Sequence, residues 1–176
     1  MPPTAAPRFQ CGSIQLVGLL RNYWMADSNS YPATIAFPAE SHIYDVLDGK
    51  YLGFTRQITA EISDRARFYA LSPYKVRAVE VRGPSKCVAG AAATFRMEMR
   101  AKGDAKPSQH LFRVEVFDPG GKIMAHYAEN VLAENGVAEV RIPWALNDKP
   151  GQYTLKVRDV MSGVRAQLRV KLKEAK

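Results

Sequence analysis

Apolar and polar side chains alternate along much of this chain. Phe95, Met97 and Met99 interleave with Arg96, Glu98 and Arg100. Phe112, Val114 and Val116 repeat the pattern. Ala166, Leu168, Val170 and Leu172 do so between Arg165, Arg169, Lys171 and Lys173. Successive side chains of a strand point to opposite faces, so this alternation predicts half-buried β-strands. Shorter β-forming runs cover Ile14–Arg21, Ala33–Phe37, His42–Val46, Gln57–Ile62, Arg67–Leu71, Lys75–Arg82, Ala138–Ile142 and Tyr153–Arg158. Pro38 separates the second and third of these runs.

Turn chemistry punctuates the runs. Asp27–Pro32, Ser63-Asp64, Ser72-Pro73, Asp118-Pro119-Gly120-Gly121 and Asn147–Gly151 are clusters of turn-forming residues. Asp48-Gly49, flanked by β-forming residues, predicts a hairpin. Tyr153–Arg158 is expected to pair with Val164–Lys173 across Ser162-Gly163. No helical repeat is sustained; Ile123–Glu134 fits either a helix or a strand. Short strands with turns about every 8–12 residues predict an all-β sandwich or barrel. The pattern restarts after Gly83-Pro84-Ser85. The expected organisation is therefore a flexible Pro- and Ala-rich N-terminus over 1–10, a β-sandwich domain over 11–82, a linker at 83–85 and a second sandwich over 86–174. The fold expected is all-β, two tandem antiparallel β-sandwich domains.

Composition narrows the class. The chain has 176 residues, 47% hydrophobic and 24% charged, which is globular rather than disordered. It is too short for a (β/α)₈ barrel of roughly 250 residues. No apolar run approaches the roughly 20 residues of a membrane span. MPPTAAPRFQ has no basic-then-apolar export signal.

Net charge is +8. That raises nucleic acid and anionic surfaces as partners. The excess is concentrated late: residues 1–82 hold 9 basic and 7 acidic side chains, residues 83–176 hold 16 and 10. Arg165, Arg169, Lys171 and Lys173 read first as the solvent face of a strand and second as a basic binding surface for nucleic acid or an anionic polymer. The absence of an RNA-binding aromatic motif or zinc-finger spacing counts against nucleic acid.

Little catalytic chemistry is legible. The two cysteines, Cys11 and Cys87, are too few for a structural zinc site and are expected as separate thiols. His42, His110 and His126 have no metal-ligand spacing and read as partly exposed strand residues. No metal or cofactor is expected. No serine lies in a G-x-S-x-G elbow, and no glycine run forms a phosphate loop. Asp45, Asp48, Asp118, Asp148 and Asp159 read as turn residues, ahead of a calcium loop or catalytic acids. The aromatics Tyr23, Trp24, Tyr31 and Trp144 are candidates for stacking on a sugar ring; core or edge packing is the competing reading.

Two phrases carry a resemblance: HIYDVLDGKYLG over His42 to Gly53, and FYALSPYKV over Phe68 to Val76. Together they resemble the β-sandwich region that follows the catalytic part of large bacterial β-galactosidase-like glycoside hydrolases. That region has an ALLPY phrase where this chain has Ala70-Leu71-Ser72-Pro73-Tyr74. QLVGLLRN over Gln15–Asn22 looks like the first strand of the same unit. The second half resembles the immunoglobulin-like module that often comes next, through FRVEVFDPGGK, HYAENVL, IPWALNDKPG and YTLKVRDVMSG. The resemblance implies a non-catalytic accessory region, concerned with packing, spacing or assembly, whose partner is a catalytic glycoside hydrolase domain or a carbohydrate. It implies an extracytoplasmic parent. No catalytic residue carries over, because the barrel that would hold it is absent from this chain.

Overall fold

A computed structural model describes residues 4–21, 30–63 and 65–175. Its chain divides into two compact units, Met1–Lys75 with Met161–Gly163, and Val76–Val160 with Val164–Lys176. Both are built from strands. Among the described residues no helix is long and apolar enough to cross a membrane.

The first unit contains β1 (Thr4–Ala5), β2 (Arg8–Cys11), β3 (Ile14–Arg21), β4 (Tyr31–Asp45), β5 (Lys50–Ile62) and β6 (Arg67–Ser72). They form one sheet in the order β1-β3-β6-β4-β5, with β2 also on β3. The Asp48-Gly49 hairpin joins β4 to β5, with Asp45 opposite Lys50. Asp45 Oδ1 accepts the backbone N–H groups of Leu47 at 3.1 Å and Asp48 at 3.3 Å, which holds the turn. Arg67 reaches Asp45 at 3.3 Å and Asp48 at 3.4 Å.

Pro38 does not end a strand. The runs either side of it are one strand, β4, whose register with β5 shifts between Ala36 and Ser41. Pro38 falls in that irregularity, where no ladder N–H is required. The N-terminal half of β4 pairs with β5 alone; the C-terminal half pairs with both β5 and β6. One core collects Phe37 and Ile43 from the two halves of β4 and Ile58 and Ala60 from β5. Val17 and Leu19 of β3 and Tyr69 and Leu71 of β6 complete it.

The second unit is a sandwich of two sheets. One has three strands, β12 (Val137–Pro143), β9 (Ala92–Ala101) and β7 (Val76–Arg82), in that order. The other has five: β11 (Glu129–Ala133), β10 (His110–Phe117), β13 (Gly151–Asp159), β14 (Arg165–Lys173) and β8 (Lys86–Val88). Gly83-Pro84-Ser85 lies between β7 and β8, inside this unit. β7 belongs with the second unit because it pairs with β9, from Val76 opposite Ala101 to Arg82 opposite Arg96.

The alternating residues behave as the pattern requires. Phe95, Met97 and Met99 are buried, as are Phe112, Val114 and Val116 across the sandwich. Tyr153, Leu155 and Val157 of β13 and Val170 and Leu172 of β14 fill the same core. β13 and β14 pair antiparallel from Gly151–Leu172 to Arg158–Arg165, across Ser162-Gly163 as expected. β8 pairs with β14 in parallel, the exception in an otherwise antiparallel unit.

The ambiguous stretch 123–134 resolves into a 3-10 turn at Ala125–Tyr127 followed by β11. Asn135 and Gly136 then reverse the chain, with φ of 51° and 72°. Positive φ at both residues is the requirement of a tight type I′ reversal, which Asn-Gly meets. The chain thereby passes from the five-stranded sheet to the three-stranded one.

Candidate functional site

Trp144 is a core residue. It is 3% exposed and meets Tyr127 and Tyr153 edge-on, with ring centroids 5.5 and 5.0 Å away. A sugar cannot reach its face, so the stacking role expected of Trp144 is withdrawn. Tyr31 is 36% exposed at the start of β4. Tyr23 and Trp24 lie outside the described residues, as do residues 27–29 of the Asp27–Pro32 turn cluster.

The Trp144 cluster encloses a polar hub. The Tyr127 hydroxyl donates to Asp148 Oδ2 at 2.5 Å, and the Ala145 N–H donates to the same hydroxyl at 2.9 Å. Asp148 Oδ2 also accepts the Ala145 N–H at 2.9 Å. Burial, then the adjacent Asp148 carboxylate, pushes the Tyr127 phenol up to about 12. Tyr153, at the start of β13, donates its hydroxyl to the Lys149 carbonyl at 2.9 Å. A tyrosine bonded a few residues upstream at this corner is a hallmark of immunoglobulin-like sandwiches. Burial also pushes the Tyr153 phenol up.

His110 is not partly exposed. Its side chain and that of Asp159 are both 0% exposed, with Nδ1 and Oδ1 2.8 Å apart. Asp159 accordingly is no turn residue; it closes β13 in the core, where an unpaired carboxylate would be costly. His42 is half-buried with Nδ1 2.9 Å from the Tyr51 hydroxyl, whereas His126 is exposed over the Tyr127 ring. Asp118 is a turn residue, accepting the Lys122 N–H at 2.8 Å. Neither Cys11 nor Cys87 is in a disulfide, and burial pushes the Cys87 thiol up. Among the described residues no group of three His, Cys, Asp or Glu could hold a metal ion.

A depression of about 540 Å³ lies between the loops that follow β10 and β12. Its acids, Asp118 and Asp148, are committed to the turn and hub just described. What remains for recognition is the outer face of the five-stranded sheet. Arg165, Arg169, Lys171 and Lys173 are all exposed there, each opposite to the buried face carrying Val170 and Leu172.

Cross-strand register extends this strip into a surface. Arg165 lies opposite Arg158, and Arg158 opposite Arg113, giving three guanidinium groups in one row. The next row is Gln167, Lys156 and Glu115; the third is Arg169, Thr154 and Phe117. Lys171 stands between Gln152 and Lys86. Lys156 Nζ sits 4.0 Å over the Phe117 ring. Arg113 Nε reaches Glu115 Oε1 at 3.4 Å. A basin of about 530 Å³ opens among Arg113, Lys156, Arg158, Arg165 and Gln167.

The strip on β14 was visible in the sequence. So was the strand beside it, which carries Lys156 and Arg158; Arg113 and Lys86 were not, because nothing in local spacing says that β10 adjoins β13 or that β8 adjoins β14. The outer face of the three-stranded sheet is different. There Arg82 meets Glu80 at 2.7 Å, Arg100 meets Glu98 at 2.8 Å and Glu80 at 3.2 Å, and Arg96 meets Glu139 at 3.7 Å. The Glu80 carboxyl is held below its usual range, chiefly by the Arg100 hydrogen bond.

No protein-family model matches the chain, and no curated protein matches it. Among solved structures it is similar to the CARDB domain of a Pyrococcus furiosus protein, a structure in complex with di-metal ions. The identity is 14%, over 56% of this chain and 90% of that one, with a TM-score of 0.39. It is similar also to a point mutant of Salmonella alpha-2-macroglobulin, at 11% identity over 98% of this chain, with a TM-score of 0.46. The same protein reacted with methylamine gives 9% identity over 97% of this chain and a TM-score of 0.45. This chain spans 16% of the length of the Salmonella protein. The likeness is one of β-sandwich architecture, and no ligand, metal or activity follows from it.

Proposed function

We propose that this chain is a non-catalytic accessory region of a larger glycoside hydrolase-like protein, working by packing, spacing or assembly. The observation that carries the non-catalytic reading is the commitment of its buried polar groups. His110 is bonded to Asp159, Asp148 to Tyr127 and Ala145, and Asp45 to its own turn and Arg67. A general acid or nucleophile has to meet a substrate, and these groups are engaged with the fold instead. The glycoside hydrolase connection rests on the ordered phrases from QLVGLLRN to YTLKVRDVMSG. They fall on strands and turns that form cores, in keeping with an architectural role.

The test is turnover. The purified chain is incubated with a panel of chromogenic glycosides, beside an active glycosidase. The expected rate equals the buffer blank for every substrate. Hydrolysis that co-purifies with the chain through successive columns overturns the reading.

A further inference from the structure

We infer that the outer face of the five-stranded sheet binds an acidic polysaccharide, a linear chain of sugars bearing carboxylate or sulfate groups. The inference does not rest on the accessory role, since binding and turnover are read separately.

Charge placement is the first argument. On the outward faces of β10, β13, β14 and β8 the one carboxylate is Glu115, and Arg113 engages it. Against it stand eight cations: Lys86, Arg113, Lys156, Arg158, and the four on β14, namely Arg165, Arg169, Lys171 and Lys173. Like charges directly opposite each other on neighbouring strands destabilise a sheet. This face contains three such pairs, Arg113 with Arg158, Arg158 with Arg165, and Lys171 with Lys86. The other sheet of the unit also sets Arg82 opposite Arg96 and Glu80 opposite Glu98, but there Arg82, Arg96 and Arg100 each meet a glutamate. The unpaired face is therefore a local feature and not a general excess of base. A polyanion supplies the missing countercharge.

Spacing is the second argument. Adjacent strands stand about 4.8 Å apart, and alternate residues along one strand about 6.7 Å apart. The cations thus form a lattice that meets repeated charges on a linear chain. The basin of about 530 Å³ beside Arg158 and Arg165 falls in the range of small-ligand sites, about 300–1,000 Å³.

The neutral side chains choose between polyanions. Thr154, Gln152 and Gln167 stand among the cations, where they can hydrogen-bond sugar hydroxyls. Single-stranded nucleic acid is held by stacking bases on aromatic rings. Phe117 is the one aromatic ring on these outward faces, and Lys156 covers it. A sheet face also offers no helix or ribbon to enter a duplex groove.

Binding by the full chain is measured by calorimetry at low and physiological salt. The probes are polygalacturonate, dextran sulfate, neutral dextran and an oligothymidylate of matched charge. Both acidic polysaccharides are expected to bind, with affinity falling steeply as salt rises, and dextran not at all. The oligothymidylate is expected to bind roughly ten-fold more weakly. Arg165→Gln combined with Arg169→Gln should weaken polysaccharide binding roughly ten-fold and reduce the salt slope by about two. Arg82→Gln with Arg96→Gln removes the same charge from the other sheet and should leave binding unchanged. Both pairs face solvent, and circular dichroism confirms folding of each variant. The inference is overturned by absence of binding at low salt, by an oligothymidylate that binds as tightly, or by equal losses in the two double variants.

Discussion

Tyr127 shows how one side chain can hold a corner of the fold. Its hydroxyl bridges the Asp148 carboxylate and the Ala145 N–H beneath Trp144. Tyr127→Phe leaves the buried carboxylate short of a partner, and a loss of about 1–3 kcal/mol is expected from chemical denaturation. The hub also sets an alkaline limit. A phenol has an unperturbed pKa of about 10, and folding raises that of Tyr127 to about 12. The unfolded chain therefore gives up this proton first. The contribution is complete below pH 10 and is lost as pH rises from about 10 to 12. Melting temperature should fall across that window, and less steeply in Tyr127→Phe. Equal slopes would place the alkaline limit elsewhere, for instance at Tyr153 or Tyr69, which are also shifted upward. None of this hub could be read from sequence. The turn chemistry of IPWALNDKPG marks Asp148, but its partner Tyr127 lies 21 residues away. Trp144 illustrates the converse: its aromatic character was visible, and its burial depended on Tyr127 of the 3-10 turn and Tyr153 of β13.

Elements were more legible than contacts, for a physical reason. Alternation is written along a single strand, so β9, β10 and β14 announce themselves. Strand breaks were harder. Pro38 suggests an end, yet a bulge absorbs it, because an unpaired position does not need the missing N–H. At Asn135-Gly136 the chain crosses between sheets in one tight reversal. A Cβ on Gly136 would approach the Pro107 Cβ to 2.5 Å, on a backbone with φ of +72°. Gly136→Ala should destabilise by about 1–3 kcal/mol, measured as a shifted urea midpoint with unchanged slope. A neutral result would mean that β11 and β12 can be joined by another turn geometry. Neither neighbour of Gly136 in sequence signals Pro107, so the clash is a tertiary fact.

At the scale of the molecule, charge is segregated by sheet. The +8 of the sequence gives a sum, and only the register tells where it gathers. Because three like-charge pairs face one another on β10, β13, β14 and β8, screening should relieve the second unit. Such pairs cost up to ~1 kcal/mol each, and the Debye length shrinks to about 8 Å at physiological salt. Raising sodium chloride from low to physiological concentration should therefore stabilise the chain by roughly 1 kcal/mol. Arg165→Gln with Arg169→Gln should reduce that gain. A melting temperature that falls with salt would show that the paired face dominates.

The parallel contact of β8 with β14 has a mechanical consequence. The first and last strands of the five-stranded sheet to be synthesised lie side by side, Lys86 beside Lys171 and Val88 beside Lys173. Backbone bonds of 2.9 Å extend the seam, from the Ala89 N–H to the Lys173 carbonyl and from the Lys171 N–H to the Ser85 carbonyl. Tension applied between Lys86 and Lys173 pulls β8 and β14 past each other lengthwise. These bonds are then loaded together in shear rather than peeled one after another. The seam is short, but it resists a lengthwise separation of these two strands.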